Sequence, residues 1–223
     1  MQVDQVQIVS RHGARNPTAN ALKKLKKTIS QLSSAKTSDP KLKFIETWTY
    51  PEVEADALTD FGRHEVYNAG ARYAKQYASL GKETFVRADE SARVVESASF
   101  FLQGWNGDAF STTAPKALPD VIQMGKNMTL DIGTCDTYEN QEVDPSEVAE
   151  ENWTATFGPA IVKRLNAALG TNLTIADETV TALISLCAFD SIKGAEWVES
   201  PWCKVWTNDE MRQNEYWYDL SKF

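Results

Sequence analysis

The sequence has only two histidines, His12 and His64, and three cysteines, Cys135, Cys187 and Cys203, none of them in a Cys-x-x-Cys pair. So few soft ligands leave a zinc-finger module without support, because such modules need paired ligands at fixed spacing. GxSxG and GxxxxGKS/T are absent too, so serine hydrolase and P-loop readings lack their motifs. No apolar run approaches the roughly 20 residues a helix needs to cross a bilayer, which excludes a helical membrane span. Positive charge is also short. With 23 basic against 31 acidic side chains and a pI near 4.9, the overall field repels nucleic acid and anionic membranes. Any anion must therefore be captured by a local cluster. The N-terminal MQVDQVQIVS lacks the basic stretch and apolar core of a secretory leader, and a leader removed earlier is compatible with it.

What is present is ordinary globular usage, and 223 residues suffice for one large domain or a domain with a smaller companion. Residues 3–10 alternate apolar and polar side chains, which predicts a strand that buries Val3, Val6 and Ile8 and ends in an Arg-His-Gly turn. From Asn20 to Ala35, Leu22, Leu25, Ile29 and Leu32 recur at helical steps, while Lys23, Lys24, Lys26 and Lys27 take other faces. Those lysines fit a solvated face, a phosphate-facing rim or a membrane-surface helix. Thr59 reads as the N-cap of a helix running to about Ser79, with Gly81 as its stop. Residues 84–89 read as a second strand, and a further helix to about Trp105 holds Arg93 in its first turn, where free amides favour anions. Strand and helix in alternation predict an α/β layer. Beyond Pro119, Asp144 (followed by Pro145 and Glu147), Thr174 and Thr207 are candidate caps of three helices, so a helical subdomain is expected over roughly 130–215.

The positive cluster is IVSRHGARNPTAN, residues 8–20. A histidine between Arg11 and Arg15, in a turn made permissive by Gly13, is poorly suited to burial unless the guanidinium groups find partners. A surface turn with solvated arginines is one reading. An oxyanion site is the other. Guanidinium forks match phosphate, and an imidazole among cations stays neutral and is placed to attack phosphorus. His64 lies in a helical stretch with no second ligand a turn away, which points to a surface or packing role.

RHGARNPT resembles the RHGxRxP signature of the histidine acid phosphatases, and the segments FVRADESARVVESASFF, MTLDIGTCDTYEN, NWTATFGPAIVKRL and SPWC resemble, in order, parts of the secreted fungal phytases and acid phosphatases. The resemblance implies an α/β fold, a phosphoglycerate-mutase-like sandwich with a helical cap. The α/β part is expected over 1–129 and the cap over 130–215, with the sheet incomplete. It makes His12 the nucleophile that forms a phosphohistidine, and Arg11, Arg15 and Arg93 its phosphate clamp. Arg87 is the nearby competitor, placed on a strand instead. Thr18, Lys23 and Lys24 match substrate-binding positions, although Ala21 stands where a further rim lysine is expected. Three guanidinium groups on one phosphoryl group neutralise its charge, so no metal or cofactor is implied. The implied partner is a small phosphomonoester, phytate or similar, with no nucleic acid and no membrane.

The resemblance also implies a Cys187–Cys203 disulfide and, for Cys135, a partner outside this chain. The family carries a His-Asp pair whose aspartic acid protonates the leaving alcohol. No His-Asp occurs here, so the chain is expected to be the N-terminal part of such an enzyme, weakly active or inactive in isolation. The alternative is a non-catalytic module that binds phosphate or polyanions. Asn127, Asn152 and Asn172 stand in N-x-T sequons, glycan acceptors if the protein is secreted, as the resemblance implies; Asn16 is excluded by Pro17.

Overall fold

The computed structural model of the chain describes residues 3–32, 34–80, 84–112, 119–122, 136–171 and 178–220. The chain forms two compact units that interleave in sequence: Met1–Asn16, Asp56–Glu139 and Ile192–Trp197 in the first, Pro17–Ala55, Asn140–Ser191 and Val198–Phe223 in the second. Residues 17–55, expected within the α/β part, thus pack with the later helices. No helix among the described residues is long and apolar enough to cross a membrane.

Helix α1 spans Ala19–Gln31, α2 Asp60–Gln76, α3 Ala92–Asn106, α4 Asp136–Glu139, α5 Pro145–Leu169, α6 Glu178–Ser191 and α7 Asn208–Leu220, with strands β1 at Arg87–Asp89 and β2 at Asp120–Ile122. In the first unit β1 and β2 pair in parallel, Arg87 opposite Asp120 and Asp89 opposite Ile122, with α3 as the crossover. That is a βαβ unit, and the fold class is α/β. Helices α2 and α3 pack closely because Gly70 abuts the Phe101 carbonyl and Gly104 the Tyr67 carbonyl; a methyl group at either position would collide with backbone.

One expectation is corrected here. Residues 3–10 form no strand: Val3 and Ile8 are exposed rather than buried, and Val9 is 90% exposed. Alternation makes a strand only where an edge receives it. The sheet among the described residues is the β1–β2 pair, and neither strand takes this segment. Conversely, β2 carried no expectation, because three residues are too few to show a period.

The second unit holds the main core. Leu25 and Leu32, from α1 and its C-terminal end, meet Phe157, Ile161 and Leu165 of α5 and Leu183, Ile184 and Leu186 of α6. Trp202 is buried at the centre with Phe44 and Trp48 edge-on to it, each 5.2 Å between ring centroids. Cys187 of α6 is disulfide-bonded to Cys203, a separation of 16 residues. A loop of that length contributes about 3 kcal/mol in the loop-entropy picture. Cys135 and Thr174 lie outside the described residues.

The capping expectations at 144 and 207 hold in atomic detail. The Asp144 carboxylate accepts from the Ser146 amide (2.8 Å) at the head of α5. Thr207 Oγ1 accepts from the Glu210 amide (3.2 Å) while Glu210 accepts from the Thr207 amide (2.8 Å), a reciprocal capping box. The same Glu210 takes two 2.7 Å bonds from Arg164, tying α7 to α5.

Candidate active site

The turn that carries His12 is held by pairing with a segment more than forty residues later within the first unit. Residues 14–16 run antiparallel to 57–59: the Asn16 amide donates to the Ala57 carbonyl (2.9 Å), and the Thr59 amide donates to the Ala14 carbonyl (3.0 Å). Thr59 serves twice, since its hydroxyl also donates to Ala14 (3.2 Å) and accepts from the Gly62 amide (3.0 Å) as the expected N-cap of α2. The turn presses on the first turn of α2, where a side chain at Gly62 would strike the Ala14 backbone. Glu65 accepts from the Ala14 amide at 2.9 Å.

A second tie runs to α3. The Gly13 amide donates to Ser97 Oγ (3.0 Å), and that hydroxyl donates to the Arg93 carbonyl (2.7 Å). Ser97 thereby links the backbone beside His12 to the first turn of α3, which carries Arg93. The β1 residue Asp89 accepts from the Ser91 amide and hydroxyl at 2.8 and 2.6 Å, steadying the entry to that turn.

His12 Nδ1 lies 2.8 Å from the Gly13 carbonyl. A carbonyl only accepts, so the proton sits on Nδ1 and the Nε2 lone pair is left free. Partial burial of the ring pushes the His12 pKa below 6.5; the Gly13 bond opposes the shift, and the charges of Arg11, Arg15 and Arg93 add to it. The imidazole is thus biased towards its neutral form. Arg11 is exposed, whereas Arg15 and Arg93 are partly buried.

Arg15 Nη1 donates to the Asn16 carbonyl at 2.8 Å and stands 3.7 Å from Asp56, and Arg93 Nη1 stands 3.9 Å from the same carboxylate oxygen. The Nε–H groups of Arg15 and Arg93 are buried and have no acceptor among the described residues. Burial lowers the Arg15 pKa, with Asp56 opposing. Asp56 has φ +64°, among the described residues the one non-glycine in the left-handed region.

Of the residues singled out from sequence, Arg11, His12, Arg15 and Arg93 come together. Thr18, Lys23 and Lys24 belong to the second unit, where the Thr18 hydroxyl caps α1 by accepting from the Ala21 amide (3.2 Å) and both lysines are exposed. Arg87 lies on β1 with its guanidinium over the Phe85 ring at 5.9 Å. His64 stacks on Phe110 at 3.8 Å and has its Nδ1 2.9 Å from the Asp60 carbonyl, a packing role. Asn152 is exposed on α5; Asn127 and Asn172 lie outside the described residues. Asp56, Ser97 and Glu65 were not anticipated. A glycine three residues into a capped helix, Gly62, was the available sign that backbone approaches there.

The structure superposes on the crystal structure of the phytase from D. castellii with a TM-score of 0.71 at 24% identity, over 94% of this chain and 48% of that one. The fold is that of the histidine phosphatases. A sequence profile of the histidine phosphatase superfamily (branch 2) matches residues 2–223, and the chain belongs to that family. It is 35% identical over 237 residues to Phytase A of Aspergillus awamori and 34% identical over 233 residues to Phytase A of Emericella nidulans. The whole chain is covered in both matches, and it spans about half the length of these curated relatives, 50% of each.

The neutral bias of His12 has a measurable consequence. With two histidines in the chain, the NMR resonance lost in His12→Ala identifies this ring. It is expected to titrate with a midpoint below 6.5. Because the folded value is depressed, the unfolded chain takes up this proton first as pH falls, so His12 disfavours folding progressively between 6.5 and its lowered midpoint. A midpoint at or above 6.5 would contradict the electrostatic description.

Proposed function

We propose that this polypeptide carries the nucleophilic site of a phosphomonoesterase that works through a phosphohistidine on His12. Nε2 attacks phosphorus, the phosphorus–ester oxygen bond breaks, and the phosphoryl group moves to the ring. The resulting positive ring keeps its Nδ1 proton on the Gly13 carbonyl. Water then attacks the phosphohistidine, giving inorganic phosphate and restoring the free Nε2. The alcohol gains one proton and the water loses one, so the cycle balances.

Arg11, Arg15 and Arg93 hold the phosphoryl oxygens and offset their charge as phosphorus passes between oxygen and nitrogen. The observation that carries this reading is the pairing of a free, neutral-biased Nε2 with three guanidinium charges acting on the same ring. The buried, unpartnered Nε–H groups of Arg15 and Arg93 support it, being donors suited to an oxyanion.

Phytate is the favoured substrate because the relatives are named as phytases, and Thr18, Lys23 and Lys24 are proposed as further binding residues. An extracellular location with a glycan on Asn152 goes with the same reading. Alkaline-quench trapping with a radiolabelled nitrophenyl phosphate tests the chemistry, since nitrophenolate departs without needing a proton. An acid-labile, base-stable labelled protein is expected. No label, or label at a residue other than His12, would leave the site as a phosphate-binding module only.

A further inference from the structure

We infer that Asp56 acts as an internal counter-anion for the phosphate clamp, offsetting the charge of Arg15 and Arg93 and lowering the affinity of the site for inorganic phosphate. The inference rests on the proposed function, since it takes those two arginines to be the clamp.

Asp56 stands 3.7 Å from Arg15 Nη1 and 3.9 Å from Arg93 Nη1 through the same carboxylate oxygen. Both distances lie outside the range of a directed hydrogen bond. The carboxylate therefore acts on the guanidinium groups through its charge rather than by consuming their donors. What fixes each arginine is elsewhere: Arg15 donates to the Asn16 carbonyl, and the backbone of Arg93 is tied through Ser97. Two cations drawn to one anion would otherwise repel each other across the site.

The backbone adds an independent observation. A non-glycine residue at φ +64° is uncommon, and such conformations persist where the surrounding structure imposes them. Asp56 is followed directly by the 57–59 segment that pairs with 14–16, so its backbone is fixed by the same contacts that hold the His12 turn. Its carboxylate is consequently delivered to the arginines by the scaffold and half exposed to water. A dianionic phosphoryl group entering among the guanidiniums meets this negative charge. The ion is held less tightly than three arginines alone would hold it, which favours release of product.

The test uses Asp56→Asn and Asp56→Gly. Asparagine and glycine both accept the left-handed backbone, so either variant removes the charge without imposing strain. Inorganic phosphate binding is measured by calorimetry at fixed pH, alongside circular dichroism to confirm folding. Both variants are expected to bind phosphate roughly three- to tenfold more tightly than the wild type, the effect of one partly screened charge a few ångströms away. Equal or weaker binding in folded variants would overturn the role of Asp56 while leaving the clamp intact. Wild-type protein that binds no phosphate would instead overturn the reading of the site, and this inference with it.

Discussion

His12→Ala is expected to abolish the labelled phosphoprotein and to slow turnover of nitrophenyl phosphate by on the order of 10⁴-fold or more, the scale on which a lost nucleophile acts. Phosphate affinity should change little, because the guanidinium groups that hold the oxygens remain. That separation identifies the role. A residue that merely braced the turn would, when removed, weaken phosphate binding and turnover together, since the 14–16 and 57–59 pairing and the Gly13–Ser97 bond would loosen as a set. Among the described residues the His12 ring makes one bond, to the carbonyl of the next residue, so its loss removes no tie between the described segments. Turnover of nitrophenyl phosphate by His12→Ala at a rate close to the wild type would show that phosphorus is attacked by water or by another group.

The arginine-histidine turn was legible because its chemistry is local: five residues carry the charge, the imidazole and the permissive glycine. The caps at Thr59 and Thr207 were legible for the same reason, their partners lying within three residues. What stayed hidden depends on distant partners or on backbone angles. Ser97 is an unremarkable helical serine until Gly13, 84 positions earlier, donates to it. Asp56 sits in an acidic stretch, EVEADA, with nothing to distinguish it from its neighbours except a dihedral angle that the scaffold imposes. Residues 3–10 show the converse, a clear strand period without a receiving edge among the described residues. Local chemistry thus marked the reactive group, while the parts that aim it were decided by tertiary contacts. The interleaving of the two units follows the same logic, because α1 carries an apolar face whose partners, α5 and α6, arrive more than a hundred residues later.

Arg93→Ala is expected to lower kcat/KM for nitrophenyl phosphate by roughly 10²- to 10³-fold, the loss typical of removing one charge-stabilising donor from a preorganised site. Arg93→Lys should fall between, because lysine restores a point charge but not the planar fork with its Nε–H. That Nε–H is buried without an acceptor among the described residues, so the donor that lysine lacks is the one with an unmet bond. The two variants also make opposite demands on His12. Arg93 is one of the charges that depress the imidazole, so alanine should raise the His12 midpoint towards 6.5 while lysine leaves it depressed. A rate loss in both variants with a raised midpoint in alanine alone would separate the two contributions of Arg93, its charge acting on the ring and its fork acting on the phosphoryl oxygens. Equal kinetics for wild type and Arg93→Ala would remove this arginine from the clamp and return the choice to Arg87, whose guanidinium lies over Phe85 at the start of β1.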